Sequence, residues 1–182
     1  EVTYGIDRPI IMGTMLGEVE PDRLILTGGA QDGDSIVVTK GIAIEGTALL
    51  ARERAADLLK AGMTQQDIDK AAALLSVPGI SVINDARIAC ASSQVHSMHD
   101  VTEGGLVTGL REVGKASRLG VAIEESSVPI LTECQEICEA LGLDPLGLLA
   151  SGTLLITLPT PDVPGLLTAL EQEGIGGFEI GT

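Results

Sequence analysis

The chain has 182 residues, of which 45% are hydrophobic and only 1% aromatic, and its formal net charge is −15 at pH 7. That length suits one domain whose core is built from aliphatic side chains. The acidic balance and the scarcity of aromatic rings argue against nucleic-acid binding and against anchoring to anionic membranes. No apolar run of about 18 residues occurs, so the sequence predicts no transmembrane helix.

Three cysteines, Cys90, Cys134 and Cys138, form no CxxC motif. An odd number without a framework spacing is typical of a reducing compartment, and we expect a cytoplasmic protein. The last two are four residues apart and would share one face of a helix. We interpret them as small buried thiols rather than metal ligands, because a complete site needs three or four ligands.

The first part of the chain has strand character without accompanying helices. Residues 10–19 and 24–26 are predicted as strands, 27–33 as a loop, and 34–40 as a β-branched strand. We therefore expect a boundary inside the chain. Residues 1–26 would be the end of a preceding N-terminal domain or linking strands, and 27–182 would form the main domain.

Helices and strands alternate in the remainder of the chain. Apolar spacing and capping residues predict helices at 47–60, 64–75, 82–92, 106–117, 131–141 and 164–173. Strands are predicted at 94–98, 121–124, 153–158 and 178–180. This interleaving predicts an α+β fold in which helices pack against one mixed sheet.

The segment 95–106, VHSMHDVTEGGL, carries the strongest chemical signal. A strand leads through Asp100 and Thr102 into Gly104-Gly105 and then a helix. The start of a helix offers unpaired N–H groups and a partial positive charge, and glycines let an anion approach the backbone. Asp100 could hold magnesium or a substrate donor. The alternative is that Asp100 or Thr102 only caps the helix and the glycines only form the turn.

The two histidines of this segment, His96 and His99, are three residues apart. Positions three apart on a strand face opposite sides, so a shared metal would need a bend between them. We therefore predict no metal ligands here. One histidine could still act as a base or a substrate donor near neutral pH.

This segment resembles the glycine motif of the AIR synthase-related superfamily, and within it most resembles hydrogenase expression/formation protein HypE. The matching residues are His96, Met98, Asp100, Thr102, Gly104, Gly105 and Leu106. Further motifs resemble the same family in the same order: Gly33-Asp34 before a strand, Ala51-Arg52-Glu53, Val128-Pro129-Ile130, residues 138–145 (CEALGLDP) and Ser151-Gly152. The resemblance covers the chain from about residue 10 onward.

The resemblance implies the C-terminal domain of a two-domain enzyme, a three-layer α/β/α unit whose glycine loop closes the active-site cleft. ATP and Mg²⁺ would be bound by the full-length protein, mainly through the N-terminal domain, which also forms a homodimer. The shared chemistry is ATP-dependent phosphorylation of a carbonyl or amide oxygen, and in HypE a carboxamide on a C-terminal cysteine is dehydrated to a nitrile. Partners would be the chain's own N-terminal domain and other hydrogenase maturation proteins.

On this basis Asp100 and His96 are the predicted catalytic residues, and Thr102, Gly104 and Gly105 the predicted substrate- or phosphate-binding residues. We expect residues 1–182 to be a fragment that has no turnover alone.

Three departures from the family pattern leave the substrate open. Val101 stands where HypE has proline, Glu103 where it has arginine, and Ser151 where the family usually has glutamate. The alternative function is therefore a non-catalytic interaction or regulatory module that retains the fold.

Overall fold

A computed structural model describes residues 13–182. Four strands form one sheet in the order β2-β3-β1-β4: β1 Asp34–Thr39, β2 Ser97–Val101, β3 Thr153–Pro159 and β4 Gly177–Gly181. The three neighbouring pairs are antiparallel. A parallel bridge joins Ile42 to Ile130 beside the sheet.

Within residues 13–182 there are seven α-helices: α1 Ile44–Glu53, α2 Ala55–Lys60, α3 Gln65–Ala73, α4 Ile83–Ser92, α5 Gly105–Ser117, α6 Thr132–Leu141 and α7 Val163–Gln172. On one face of the sheet, Val38 and Leu155 lie in a core with residues of α5 and α6. On the other face, Val37 and Ile156 lie in a core with residues of α4 and α7. The structure thus has the predicted α+β class and α/β/α layers, but the strand pairs among residues 13–182 are antiparallel, so the predicted mixed sheet is wrong for them.

The central strands β1 and β3 are apolar on both faces because helices cover both sides of the sheet. All six residues of β1 and the first six of β3 are buried. The edge strands β2 and β4 include exposed positions, such as Asp100 and Glu179. Edge strands with polar side chains limit pairing with other chains.

Most predicted elements are confirmed, with shifted ends. The predicted helix 47–60 begins earlier, at Ile44, and is divided at Arg54, whose φ of −118° is not helical. Strand β2 lies three residues later than predicted, which places Asp100 inside the strand. Thr64 caps α3 as expected, because its side chain accepts from the N–H of Asp67.

Three predicted strands are wrong for the described residues. Residues 13–19 and 24–26 have no strand structure, and residues 10–12 of the first prediction lie outside the described part of the chain. Residues 121–124 make one antiparallel bridge, between Ile123 and Gly181, instead of a full strand.

The chain between α3 and α4 passes through a π-helical turn, Leu75–Gly79. Within residues 13–182 no single helix has the length and apolar composition to cross a bilayer. The helical segments Gln65–Gly79 and Ile83–Ser92, bent by 43°, reach that length and composition only when taken together. Ile68 and Ala89, one from each segment, are buried in the protein's own cores.

Candidate functional site

The candidate site lies at one end of the sheet, where β1 and β2 end and β3 begins. The antiparallel register brings these ends together, because Val38 pairs with Leu155 and Val101 pairs with Thr153. Helices α1 and α5 start shortly after β1 and β2. The Lys40 side chain, just beyond β1, donates to the carbonyl of Ser81, two residues before α4. Three helix N-termini with their partial positive charges therefore begin near this end.

The Thr102–Gly105 segment is a tight turn that starts α5. The carbonyl of Thr102 accepts from the N–H of Gly105 at 3.2 Å and from the N–H of Ala150 at 3.1 Å. Gly104 has φ +78°, which a type II turn requires at its third position. The turn therefore needs glycine at position 104 for conformational reasons alone.

Gly105 is required for packing as well as for conformation. Its φ is +66°, and a Cβ there would meet the carbonyl oxygen of Leu146 and approach that of Leu148 to 2.6 Å. The start of α5 therefore lies directly against the 3-10 turn Pro145–Gly147. The N–H of Gly105 is already bonded to Thr102, so a phosphate role for Gly105 stays a prediction.

Asp100 occupies the edge of the site as an exposed residue of β2. It pairs with Leu154, whose side chain lies in the core on the α4 side of the sheet. Partial burial raises the pKa of the Asp100 carboxyl above its ordinary value of 3.8. His99 and Lys40 oppose that shift in pKa, whereas the negative charges of Asp85 and Glu45 add to it. The carboxyl of Asp100 is therefore surrounded by charged groups from β2, α1, α4 and the end of β1.

A buried ion pair, Lys40–Asp85, lies beside Asp100 and was missed by the sequence analysis. The side chains of Lys40 and Asp85 are only 6% and 2% exposed. Lys40 Nζ donates to Asp85 Oδ2 at 3.3 Å and to the Ser81 carbonyl at 2.7 Å. Asp85 Oδ1 lies 3.1 Å from the ammonium but off the hydrogen-bonding direction, so Coulomb attraction alone compensates for its burial.

A partial signal for this pair exists in the sequence. Asp85 is four residues before Ala89, so both lie on the same buried face of α4. A carboxylate on the apolar face of a helix requires a partner. Lys40 is 45 residues away along the chain, so no local pattern could identify it.

His96 lies at the other end of β2. Its backbone N–H donates to the carbonyl of Thr157, and its Nδ1 lies 2.9 and 3.0 Å from the carboxylate oxygens of Asp34. Asp100 is four positions after His96, which corresponds to roughly 13 Å at the usual rise per residue of a strand. The structure therefore does not bring the two predicted catalytic residues together.

His99 lies on the opposite face of β2 from Asp100, towards α5. Its Nε2 lies 2.9 Å from Glu112 Oε2, and its Nδ1 lies 3.3 Å from Thr27 Oγ1. His96 and His99 thus have separate partners. Within the part of the chain that the structure describes, no three metal-binding side chains are grouped as a site.

The residues of the candidate site belong to a part of the chain that matches a known domain family. Residues 31–182 match the family described as AIR synthase related protein, C-terminal domain. The chain belongs to that family. In this AIR synthase related domain, Asp100, the Thr102–Gly105 turn and the Lys40–Asp85 pair lie at the same end of the sheet.

Several curated relatives are HypE or hydrogenase expression/formation proteins, and another is a selenide, water dikinase. A hydrogenase expression/formation protein of Methanocaldococcus jannaschii is 29% identical over 97% of this chain and 49% of its own length. Carbamoyl dehydratase HypE of Rhodobacter capsulatus is 28% identical over 91% of this chain and 46% of its own length. The chain therefore spans about half the length of the curated relatives it matches.

Solved structures show the same fold. E. coli HypE superposes with a TM-score of 0.68 at 21% identity, over 86% of this chain and 45% of that one. A HypE in complex with ATP superposes with a TM-score of 0.64 at 24% identity, over 91% of this chain and 47% of that one. At this level of identity the similarity establishes the fold.

Proposed function

We propose that this AIR synthase related domain is the C-terminal half of an ATP-dependent enzyme of HypE type. The reaction would transfer the terminal phosphoryl group of ATP to an amide oxygen. Departure of that oxygen as phosphate, with loss of both amide protons, would convert the carboxamide to a nitrile. The observation that carries the proposal is the grouping of Asp100 and the Thr102–Gly105 turn at one sheet end, in a chain similar to HypE over nearly its whole length.

Asp100 would accept a proton from the substrate nitrogen. Its pKa lies above the ordinary value because of partial burial, which makes its carboxylate a stronger base at neutral pH. Thr102 and Gly104 would line the path of the phosphoryl group, and the N-terminus of α5 would stabilise its charge. His96 is separated from Asp100 along β2, so Asp100 is the only residue proposed to accept the proton. A catalytic role for His96 stays a prediction.

ATP and Mg²⁺ would be bound mainly by a preceding N-terminal domain. This chain fits only part of an ATP–Mg²⁺ site. The Thr102–Gly105 turn suits a phosphate, whereas no three metal-binding side chains lie together among the described residues. A boundary near Thr27 is supported by the hydrogen bond from Ser97 Oγ to the Thr27 carbonyl, 2.8 Å. We also propose that the complete protein is a homodimer and is located in the cytoplasm.

Other maturation proteins are proposed as partners of the complete protein. A HypE has been solved in complex with HypF, and it superposes on 85% of this chain with a TM-score of 0.59. Size-exclusion chromatography of the complete gene product with a purified HypF would test this. Failure to co-elute at micromolar concentration would contradict it.

The complete gene product should bind ATP and Mg²⁺ in isothermal titration. Asp100→Asn should lower ATP-dependent phosphate release by about 100-fold or more while leaving ATP affinity unchanged. Asp69→Asn, an exposed carboxylate on α3, is the matched control and should leave both unchanged.

Absence of ATP binding by the complete gene product would contradict the proposal and favour the interaction or regulatory module. Full activity of the Asp100→Asn variant would remove Asp100 from the mechanism.

A further inference from the structure

A cavity of about 580 Å³ lies between the chain at residues 19–25 and helix α4. Its lining includes Arg23, Arg87, Cys90, Gln94 and His96. Because it adjoins His96, it is at the opposite end of β2 from Asp100. Its volume is within the range of small-molecule binding sites.

His96 is one of the residues that line this cavity, and Asp34 sets the orientation of its ring. Its Nδ1 faces both carboxylate oxygens of Asp34, and Asp34 Oδ2 also accepts from the N–H of Gln31 at 2.8 Å. A carboxylate can only accept, so Nδ1 carries the proton in this pair. Nε2 is then the ring nitrogen left for a ligand. Asp34 and His96 are 7% and 12% exposed, so the couple is held inside the protein.

The cavity also concentrates positive charge in an acidic protein. Arg23 and Arg87 are two of only 11 basic residues in the chain, and Asp22 is the one acidic residue in the lining. No ion pair found among residues 13–182 involves either arginine. Both arginines are exposed, and Arg23 also lines a neighbouring depression with Glu18 and Glu20.

We propose that this cavity binds the phosphate group of a small phosphorylated molecule. Guanidinium forks match phosphate oxygens in pairs. Arg23 and Arg87 supply donors from different elements, and the unprotonated Nε2 of His96 is an acceptor for a hydroxyl group of the ligand. The proposal does not depend on the HypE-type reaction.

Cys90 provides a reporter inside the cavity. It is exposed, whereas Cys134 and Cys138 are buried. In the complete gene product, alkylation of Cys90 by iodoacetamide would be followed by mass spectrometry of its peptide. Inorganic phosphate and ribose 5-phosphate should slow this alkylation, and ribose alone should not. Tighter protection by the ester than by inorganic phosphate would identify a phosphorylated molecule rather than free phosphate as the ligand.

Substitutions localise the protection. Arg87→Ala should raise the ribose 5-phosphate concentration for half-protection about tenfold, the effect of losing one charge-assisted hydrogen bond, whereas His96→Gln should raise it by less because Nε2 is only a neutral acceptor. Arg111→Ala, an exposed arginine on α5, should change nothing. Arg87 is exposed, so its variant tests the site without affecting the core. Equal protection in the Arg87→Ala protein, protection by ribose, or no protection by either phosphate would each overturn the proposal.

Discussion

The carboxylate oxygens of Asp34 lie 2.9 and 3.0 Å from Nδ1 of His96, which ties the first residue of β1 to the residue before β2. These two strands are not neighbours, because β3 lies between them in the sheet. The Asp34–His96 pair therefore links the strands on either side of β3 at one end of the sheet. The Thr102–Gly105 turn lies at the opposite end of the sheet. The same strand, β2, connects the proposed phosphate cavity to Asp100.

Asp34→Asn should lower the free energy of unfolding by about 1 kcal/mol, because the neutral amide oxygen accepts more weakly from His96 Nδ1 than the carboxylate does. The measurement is urea denaturation at pH 7. Asp32→Asn, two residues earlier and exposed, should stay within about 0.5 kcal/mol of the parent. Equal stability of the two variants would show that the Asp34–His96 contact is incidental.

Lys40→Met should cost about 3–5 kcal/mol of stability, because it leaves the Asp85 carboxylate buried without its counter-charge. Replacing both partners, as Lys40→Met with Asp85→Leu, should recover most of that loss. Lys60→Met removes a lysine that is 77% exposed and should have little effect. A double variant no more stable than Lys40→Met would show that the cost arises from packing rather than from the unpaired charge.

Local sequence patterns predicted helix α5 and the central strands well. Gly104-Gly105 followed by apolar residues at helical spacing marks the start of α5, and the buried β-branched run 34–39 marks β1. Strand β2 was misplaced because His99 and Asp100 are polar. Its position depends on pairing with β3, which lies more than 50 residues later.

Tertiary partners decide what local patterns cannot. Residues 13–19 (GTMLGEV) include three apolar residues, yet among the described residues they pair with no strand, so their backbone does not form a ladder. The Lys40–Asp85 pair joins positions 45 apart and forms only once β1 and α4 have packed together. The separation of His96 from Asp100 likewise follows from β2 being one extended strand, which requires its pairing with β3.

Gly105→Ala should destabilise the protein by about 3 kcal/mol or more, since a positive φ and backbone collisions with residues 146–148 both oppose a Cβ. Gly104→Ala should cost less, about 2 kcal/mol, because its Cβ would meet side-chain atoms of Thr108, with Thr108 Cβ at 2.9 Å, rather than backbone carbonyls. Gly147→Ala has open space and should be close to neutral. Thermal unfolding of the three variants gives the order of their losses in stability. A cost for Gly104→Ala above that for Gly105→Ala would contradict the assignment of Gly105 as the packing glycine.

Asp100→Asn should make the protein more stable at pH 7, and this gain should disappear as the pH falls below about 4. The pKa of Asp100 is raised in the folded state by partial burial, so its charged form opposes folding above that pKa and its neutral form does not.

Asp57→Asn should behave in the opposite way. Hydrogen bonding and charge from Arg54, and then Lys60, lower the pKa of Asp57, so its contribution to stability is present at pH 7 and is lost on acidification. Urea denaturation midpoints of the parent and of both variants, measured from pH 7 to below about pH 4, test the direction of each stability change.

One cysteine should react with a thiol reagent in the native protein and three should react after denaturation. Cys90 is exposed on α4, whereas Cys134 and Cys138 are buried in α6 with their sulfur atoms 3.9 Å apart. Burial raises the pKa of both inner thiols, that of Cys138 to about 12, which suppresses the reactive thiolate. Counting released thionitrobenzoate from Ellman's reagent before and after guanidinium addition makes the measurement. Cys90→Ser should remove the native reaction entirely, and a remaining fast thiol would show that α6 opens in solution.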